Sequence, residues 1–294
     1  MKANIPWMIS LHGGHSRRYC DHAKDLLRDM LEAAVACGYH TFGVTEHAPR
    51  TEPQYLYAEE IQMGWDEATV HTLFLEYAAE LERLKEEFAG RLCILKGFEA
   101  EVVPPSHYPT IMNDLRRNLK FDYIVGSVHY VDDVIIDYTP DMFNRALEQC
   151  GGYEELAVRY YQTVAEMVLC LKPEVVGHFD IIKKGFPEAE NGVSPRVRKA
   201  AFEALEVIRD SGSILDINTA GYRKGLGVPF PDPLYIRTAR DMGIAMCFGD
   251  DSHSVEQVGM DIDKARDCLL QHGVNRIVAL TRSDSGLERL EIPL

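Results

Sequence analysis

The sequence predicts an α/β protein whose strands close into a TIM-like barrel. Three observations carry that expectation. Short β-rich runs of four to six residues recur, helical patterns of ten or more residues separate most of them, and seven or eight such units fill the 294 residues. Strands alternating with helices of that length form parallel βα units. This many units in a chain of this size fit a closed barrel better than an open sheet. No internal repeat or low-complexity linker divides the chain, so residues 1–294 are read as a single domain.

The first strand is "WMISL" (7–11). "DHAKDLLRDMLEAAVACG" (21–38) then sets Leu26, Leu27, Met30, Leu31, Ala34 and Val35 on one helical face, with Gly38 placed to cap it. "HTFGVTEH" (40–47) is the second strand, "DEATVHTLFLEYAAELERLKEEFAG" (66–90) a long amphipathic helix closing at Gly90, and "RLCILKGFEAE" (91–101) the third strand. The charges in "AAELERLKEEF" read as a solvated helix face laced by i,i+4 pairs. "FDYIVGSVHYV" (121–131), "PEVVGHFD" (173–180), "GSILDIN" (212–218), "GIAMCFGDDSH" (243–253) and "NRIVALT" (275–281) continue the strand series. Helical patterns at 153–171, 195–211, 231–242 and 256–272 lie among them.

Composition sets further bounds. With 46% hydrophobic and 26% charged residues the chain is of the soluble globular class. A formal net charge of −15 argues against binding nucleic acid through its phosphates, which needs a basic face. A small anionic substrate remains compatible, provided metals or a few Arg and Lys reverse the field locally. Seven cysteines without a CxxC pair read as reduced thiols, and the apolar run in "MKANIPWMIS" is too short for a signal peptide. No stretch approaches the length of a membrane span, so the expected location is the cytoplasm and no membrane partner is expected. Assembly into a homo-oligomer is left open.

Position carries the functional argument. The polar residues at the C-terminal ends of successive strands are His12 with His15, Glu46 with His47, Glu99 with Glu101, His129, His178, Asn218, and Asp250, Asp251 with His253. In a barrel these ends converge on one face. His12, His15, His22, His47, His129, His178 and His253 fall on or near it, whereas His40, His71, His107 and His272 do not. Independent loop histidines have no reason to choose strand ends, so the set is read as a metal cluster. Histidine and carboxylate donors favour Zn, Mn or Fe, and the number of donors calls for two or three divalent ions. Such a cluster acidifies a bridging water and clamps both oxygens of an in-line displacement, which is phosphoester chemistry.

The remaining candidates are cations. Arg223 and Lys224 occupy a Gly- and Pro-rich loop suited to clamping a phosphate, Lys183 and Lys184 follow His178, and Arg17, Arg18 and Arg50 adjoin the first motifs. Arg223, Lys183 and Arg50 are taken as the substrate-binding set. Cys20, inside "SLHGGHSRRYCDHA", reads as a small packing residue, because a thiolate would be the odd member of a histidine–carboxylate set.

The motifs "LHGGHSRRYCDHA", "GVTEHAPR", "GFEAE", "GSVHYV", "GHFDIIKK", "DINTAGYRKGLGVPFPDP" and "FGDDSHS" run nearly end to end in this order. With them the chain resembles the polymerase-and-histidinol-phosphatase (PHP) family of metal-dependent phosphoesterases, most of all its histidinol-phosphate phosphatase branch. The resemblance implies a distorted (β/α)7 barrel of the PHP type with a trinuclear metal centre. It implies His12, His22, His47, Glu99, His129, His178, Asp251 and His253 as metal ligands, and His15 in place of the motif's second histidine if Gly13 and Gly14 let the loop bulge. Arg223 looks like a phosphate-binding arginine, and Asp251 or His253 is expected to protonate the leaving group. Two departures stand out: the usual His-x-His is here "HGGH", and the Asp often found before the first histidine is Ser10. The implied activity is hydrolysis of L-histidinol phosphate to L-histidinol and phosphate, in histidine biosynthesis, by a metal-activated hydroxide and without a covalent phosphoenzyme. The alternatives are a PHP phosphoesterase for another small phosphomonoester and a non-catalytic metal-binding PHP protein.

Overall fold

Seven of the apolar runs become parallel strands that curl into a nearly closed barrel, as the sequence implies. The computed structural model describes residues 6–185, 193–283 and 286–294; residues 1–5, within the segment expected to lack a signal peptide, lie outside them. In chain order the strands are β1 (Ile9–Ser10), β2 (Thr41–Val44), β3 (Cys93–Ala100) and β4 (Tyr123–Gly126). A small hairpin of β5 (Tyr130–Val131) and β6 (Val134–Ile135) follows, then β7 (Val175–Val176), β8 (Ile214–Asn218) and β9 (Met246–Gly249). The barrel order is β1-β2-β3-β4-β7-β8-β9. The two ends meet where the Leu11 amide donates to the Phe248 carbonyl at 2.8 Å. Two-residue strands at β1 and β7 beside an eight-residue β3 account for the distortion.

Helices cover the outside. They are α1 (Leu27–Cys37), α2 (Ala58–Gln62), α3 (Glu67–Glu87), α4 (Tyr108–Leu119), α5 (Pro140–Cys150), α6 (Tyr153–Leu171), α7 (Pro195–Ser211), α8 (Ala220–Arg223), α9 (Pro233–Asp241) and α10 (Ile262–Gln271). Gly38 ends α1 at φ 92, the left-handed cap its position implies. No helix among the described residues is long and apolar enough to cross a membrane.

Three expectations need correction. The first helix starts at Leu27 rather than near residue 21, because Leu26 is extended at ψ 153 and is 55% exposed, off the core face. Residues 21–26 belong instead to the loop at the barrel mouth. The pattern at 256–272 splits into a 3-10 turn (Val255–Gln257) and α10, with Gly259 at φ 74 between them. "NRIVALT" does not enter the barrel: β10 (Arg276–Ser283) folds back antiparallel on β11 (Gly286–Pro293). Since β9 already bonds to Leu11, the barrel has no open edge left for an eighth strand.

One tyrosine reaches across the inside of the barrel. Tyr123 on β4 is fully buried, and its hydroxyl donates to the Leu11 carbonyl at 2.7 Å. Space for the ring comes from missing side chains: a Cβ on Gly43 would lie 1.9 Å from the hydroxyl oxygen, and one on Gly97 would lie 2.6 Å from the ring. Small residues on β2 and β3 thus let a large one from β4 reach across to β1.

Candidate metal centre

Every barrel strand delivers a polar side chain to the same mouth, because each chain leaves its strand C-terminally into a loop there. Glu99, near the end of β3, sits at the centre. Its Oε1 is 3.0 Å from His178 Nε2, 3.3 Å from His12 Nε2 and 3.5 Å from His129 Nε2. Its Oε2 is 2.9 Å from His47 Nδ1 and 4.0 Å from His15 Nε2. Asp251 Oδ1 lies 3.6 Å from His15 Nε2 and 3.7 Å from His253 Nδ1. Burial alone would push the Glu99 carboxyl up, but His12, His129 and His47 outweigh it and hold it well below the usual range. His15 is held low by burial and then by the neighbouring His253 and His47, which favours its neutral, ligating form.

Carboxylates behind the imidazoles fix their orientation; strand-end position points to Glu101 but not to Asp216. Asp216 on β8 accepts from His12 Nδ1 at 2.8 Å, and Glu101 accepts from His129 Nδ1 at 2.9 Å. An ionised carboxylate only accepts, so both rings carry a proton on Nδ1 and turn Nε2 toward Glu99. Burial alone would lower both imidazoles, but Glu99 with Asp216 raises that of His12, while Glu101 and Glu99 raise that of His129 to about 9. Asp216 lies two residues before the strand end that drew attention to Asn218, and the period-2 alternation of a strand puts both on one face.

The "HGGH" spacing has a structural answer. Gly14 takes a left-handed φ of 77, and its amide donates to Ser252 Oγ at 3.2 Å. Gly13 packs so tightly that a Cβ there would lie 2.1 Å from Asp250 Oδ1. The extra residue is absorbed as a bulge, and His15 lands fully buried against Glu46, Glu99 and Asp251. Ser10 bonds only to backbone, donating to the His12 carbonyl and accepting from the Asp250 amide.

The other candidates divide. His22 is 42% exposed, its Nδ1 is 3.2 Å from Asp21 Oδ1, and its ring stacks on His253 with centroids 4.6 Å apart. Cys20 is buried as expected of a packing residue, yet its sulfur faces imidazoles: both His22 nitrogens are 3.5 Å away. Burial would raise that thiol, but His22 first and then His253 and His47 hold it well below its ordinary value. Arg223 donates to the Asp250 and Asp251 carbonyls at 2.7 and 2.9 Å, bracing the turn that presents Asp251. Lys183 is 3.0 Å from Asp180 Oδ2 and lies over the Phe230 ring. Arg50 pairs with Glu60 and covers the Tyr57 ring. Lys184 bonds the Asp137 carbonyl; burial lowers its ammonium, and Asp137, Lys224 and Asp251 all act on it. His40, His71, His107 and His272 take no part in the cluster.

Whether these residues suit metal ions is decided by atoms without partners. His12 Nε2, both nitrogens of His15 and of His47, His178 Nδ1, His253 Nε2 and Glu101 Oε2 are buried and make no hydrogen bond in the protein. Burying that many polar atoms unpaired is costly. Three overlapping groups, His12–His15–Glu99, His47–Glu99–His129 and His12–His178–Asp251, have donor atoms spaced to share a cation. The residues fit divalent metal.

Fold and mouth together define a class, the α/β barrels that gather histidines and carboxylates into a metal centre at the ends of their strands. A model of the PHP domain matches residues 12–220, and the chain belongs to the PHP family. The "probable histidinol-phosphatase" of Schizosaccharomyces pombe is 31% identical over 282 residues, covering 95% of this chain and 91% of that one. The histidinol-phosphatase of Saccharomyces cerevisiae is 29% identical, covering 87% and 86%. The solved histidinol phosphate phosphatase of Lactococcus lactis, complexed with zinc, L-histidinol and phosphate, superposes with a TM-score of 0.70. It shares 20% identity and covers 92% of this chain and 95% of that one, a likeness of fold.

Proposed function

We propose that the protein is a histidinol-phosphatase, a phosphoric monoester hydrolase that converts L-histidinol phosphate to L-histidinol and phosphate. The observation that carries this reading is the match to the Schizosaccharomyces pombe relative across 95% of the chain, over a mouth whose donor atoms suit divalent metal. Residues 1–294 act as one PHP phosphoesterase unit. Two or three ions, of Zn, Mn or Fe, would be held by His12, His15, His22, His47, Glu99, His129, His178, Asp251 and His253. When bound, such ions supply Lewis acidity to the phosphoryl oxygens and lower the pKa of water enough for attack at neutral pH.

The chain's own residues do the rest. Asp216 and Glu101 hold the His12 and His129 rings in one tautomer, so the site is preorganised before substrate arrives. Asp251, with 16% of its side chain exposed, takes the proton of the attacking water and returns it to the leaving alkoxide. His253 donates from Nδ1 to the Asp251 carbonyl at 3.0 Å, which fixes the turn, and its buried Nε2 has no partner in the protein. Arg223 braces the same turn and would bind the phosphate, whereas Lys183 and Arg50 already pair with Asp180 and Glu60, so a substrate contact from either requires that pair to open. We place the protein in the cytoplasm, where its seven free cysteines stay reduced.

A panel assay tests the reading. Phosphate release from L-histidinol phosphate, with Mn or Zn added, should exceed that from nucleotide and sugar monophosphates by orders of magnitude in kcat/KM. Equal rates across the panel would remove the substrate assignment, and no turnover on any ester would leave a metal-binding protein.

A further inference from the structure

We propose that Cys20 is itself a metal ligand, giving one cation of the centre a thiolate beside the imidazoles of His15, His47 and His253. The proposal rests on the reading of the mouth as a metal centre and adds a donor of a different chemical kind.

The local fold delivers the sulfur. The Ser16 amide and hydroxyl both donate to Glu46 Oε1, at 2.8 and 2.6 Å. The Tyr19 and Cys20 amides then bond back to the Ser16 carbonyl at 2.9 and 2.8 Å. This tight turn reverses the chain directly after His15 and folds Cys20 inward, leaving it 2% exposed. The outcome is a set of four donors, Cys20 Sγ and one nitrogen each from His15, His47 and His253, all within 4.8 Å of one another. Four ligands around zinc, with bonds of roughly 2.0–2.3 Å, stand roughly 3.3–3.8 Å apart, so modest contraction onto an ion closes the set.

His15 is the independent pointer. It is fully buried, and neither ring nitrogen has a hydrogen-bond partner. Among the described residues His47 also leaves both nitrogens unpartnered, and His253 leaves Nε2. A sulfur present only for packing would sit against methyl groups rather than in this ring of bare nitrogens. His22 stands outside the set of four, stacked on His253 at the rim, where with Asp21 it forms a second, more exposed group around the same sulfur.

The chemical consequence is division of labour among the ions. A sulfur-and-imidazole position is soft and favours zinc, whereas positions built on Glu99 and Asp251 accept harder ions such as Mn. On binding, the thiol releases one proton to solvent and nothing is oxidised or reduced.

Cobalt(II) spectroscopy on the full chain tests this. Cobalt-loaded wild-type protein should show an intense sulfur-to-cobalt charge-transfer band in the near ultraviolet. Cys20→Ser should lose that band while keeping its weaker visible bands, and the control Cys93→Ser, at an exposed cysteine, should retain it. X-ray absorption of the zinc-loaded wild type, which needs no variant, should show a sulfur shell at about 2.3 Å. A cobalt protein that hydrolyses L-histidinol phosphate but has no such band, or zinc with only nitrogen and oxygen neighbours, overturns the Cys20 assignment and leaves the phosphatase reading intact. Failure to bind either metal overturns both.

Discussion

Asp216 shows how much a single residue behind the metal site decides. Its Oδ2 accepts from His12 Nδ1 at 2.8 Å and from the Asn218 side-chain Nδ2 at 3.0 Å, so the imidazole can neither flip nor change tautomer without losing a bond. Asp216→Asn presents an amide where only an acceptor fits. Metal affinity should fall by about 10–100-fold while the folded spectrum is unchanged, and an unaltered titration would mean His12 needs no orienting partner. Gly13 sets a different limit. With a Cβ 2.1 Å from Asp250 Oδ1, Gly13→Ala forces the opening bulge apart and should cost ~1–3 kcal/mol in chemical denaturation. The same displacement moves His15, so metal content should fall in parallel.

At the level of elements, the barrel depends on a cross-strand fit. Tyr123→Phe removes the donor to the buried Leu11 carbonyl and should lower stability by about 1–3 kcal/mol with an unchanged denaturant slope. A midpoint equal to the wild type's would mean that another group satisfies the carbonyl. None of this was legible in the alternation of apolar runs, since no local pattern says that Gly43 and Gly97 clear space for a tyrosine on β4. The strands and the helices at 153–171 and 195–211 were legible because their periodicity is local and uninterrupted. The hairpin β5–β6 was missed, although its turn residues Asp132 and Asp133, at φ 45 and 69, suit the two-residue loop that joins such strands. "NRIVALT" looked like a barrel strand because a β-rich run does not announce its partner, and only closure at Leu11 excludes it. At the site, strand-end position found the first set of polar side chains. Asp216, two residues inside its strand, and Cys20, on a turn, needed the fold.

For the whole molecule, the proposed centre implies a structural clasp as well as the chemistry. Metal that binds only the folded state stabilises it by mass action, by about 4 kcal/mol at a thousand times the dissociation constant. A chelator should therefore lower the thermal midpoint, and restoring Zn or Mn should recover it together with activity. Acidification should act in the same direction, because imidazoles must be neutral to ligate and protons displace the ions as pH falls. A midpoint indifferent to chelator would remove the clasp. The closure at Leu11 and Phe248 carries a further consequence, for the order of events in the cell. The mouth is stitched across its seam by the Asp251 amide on the His12 carbonyl, the His15 amide on the Ser252 carbonyl and the Lys24 amide on the His253 carbonyl. At synthesis rates of ~5–20 residues per second, the first motif waits on the order of tens of seconds before its partners leave the ribosome. The nascent histidine loop therefore has only partial ligand sets, and the proposed centre can be completed only when translation is nearly over.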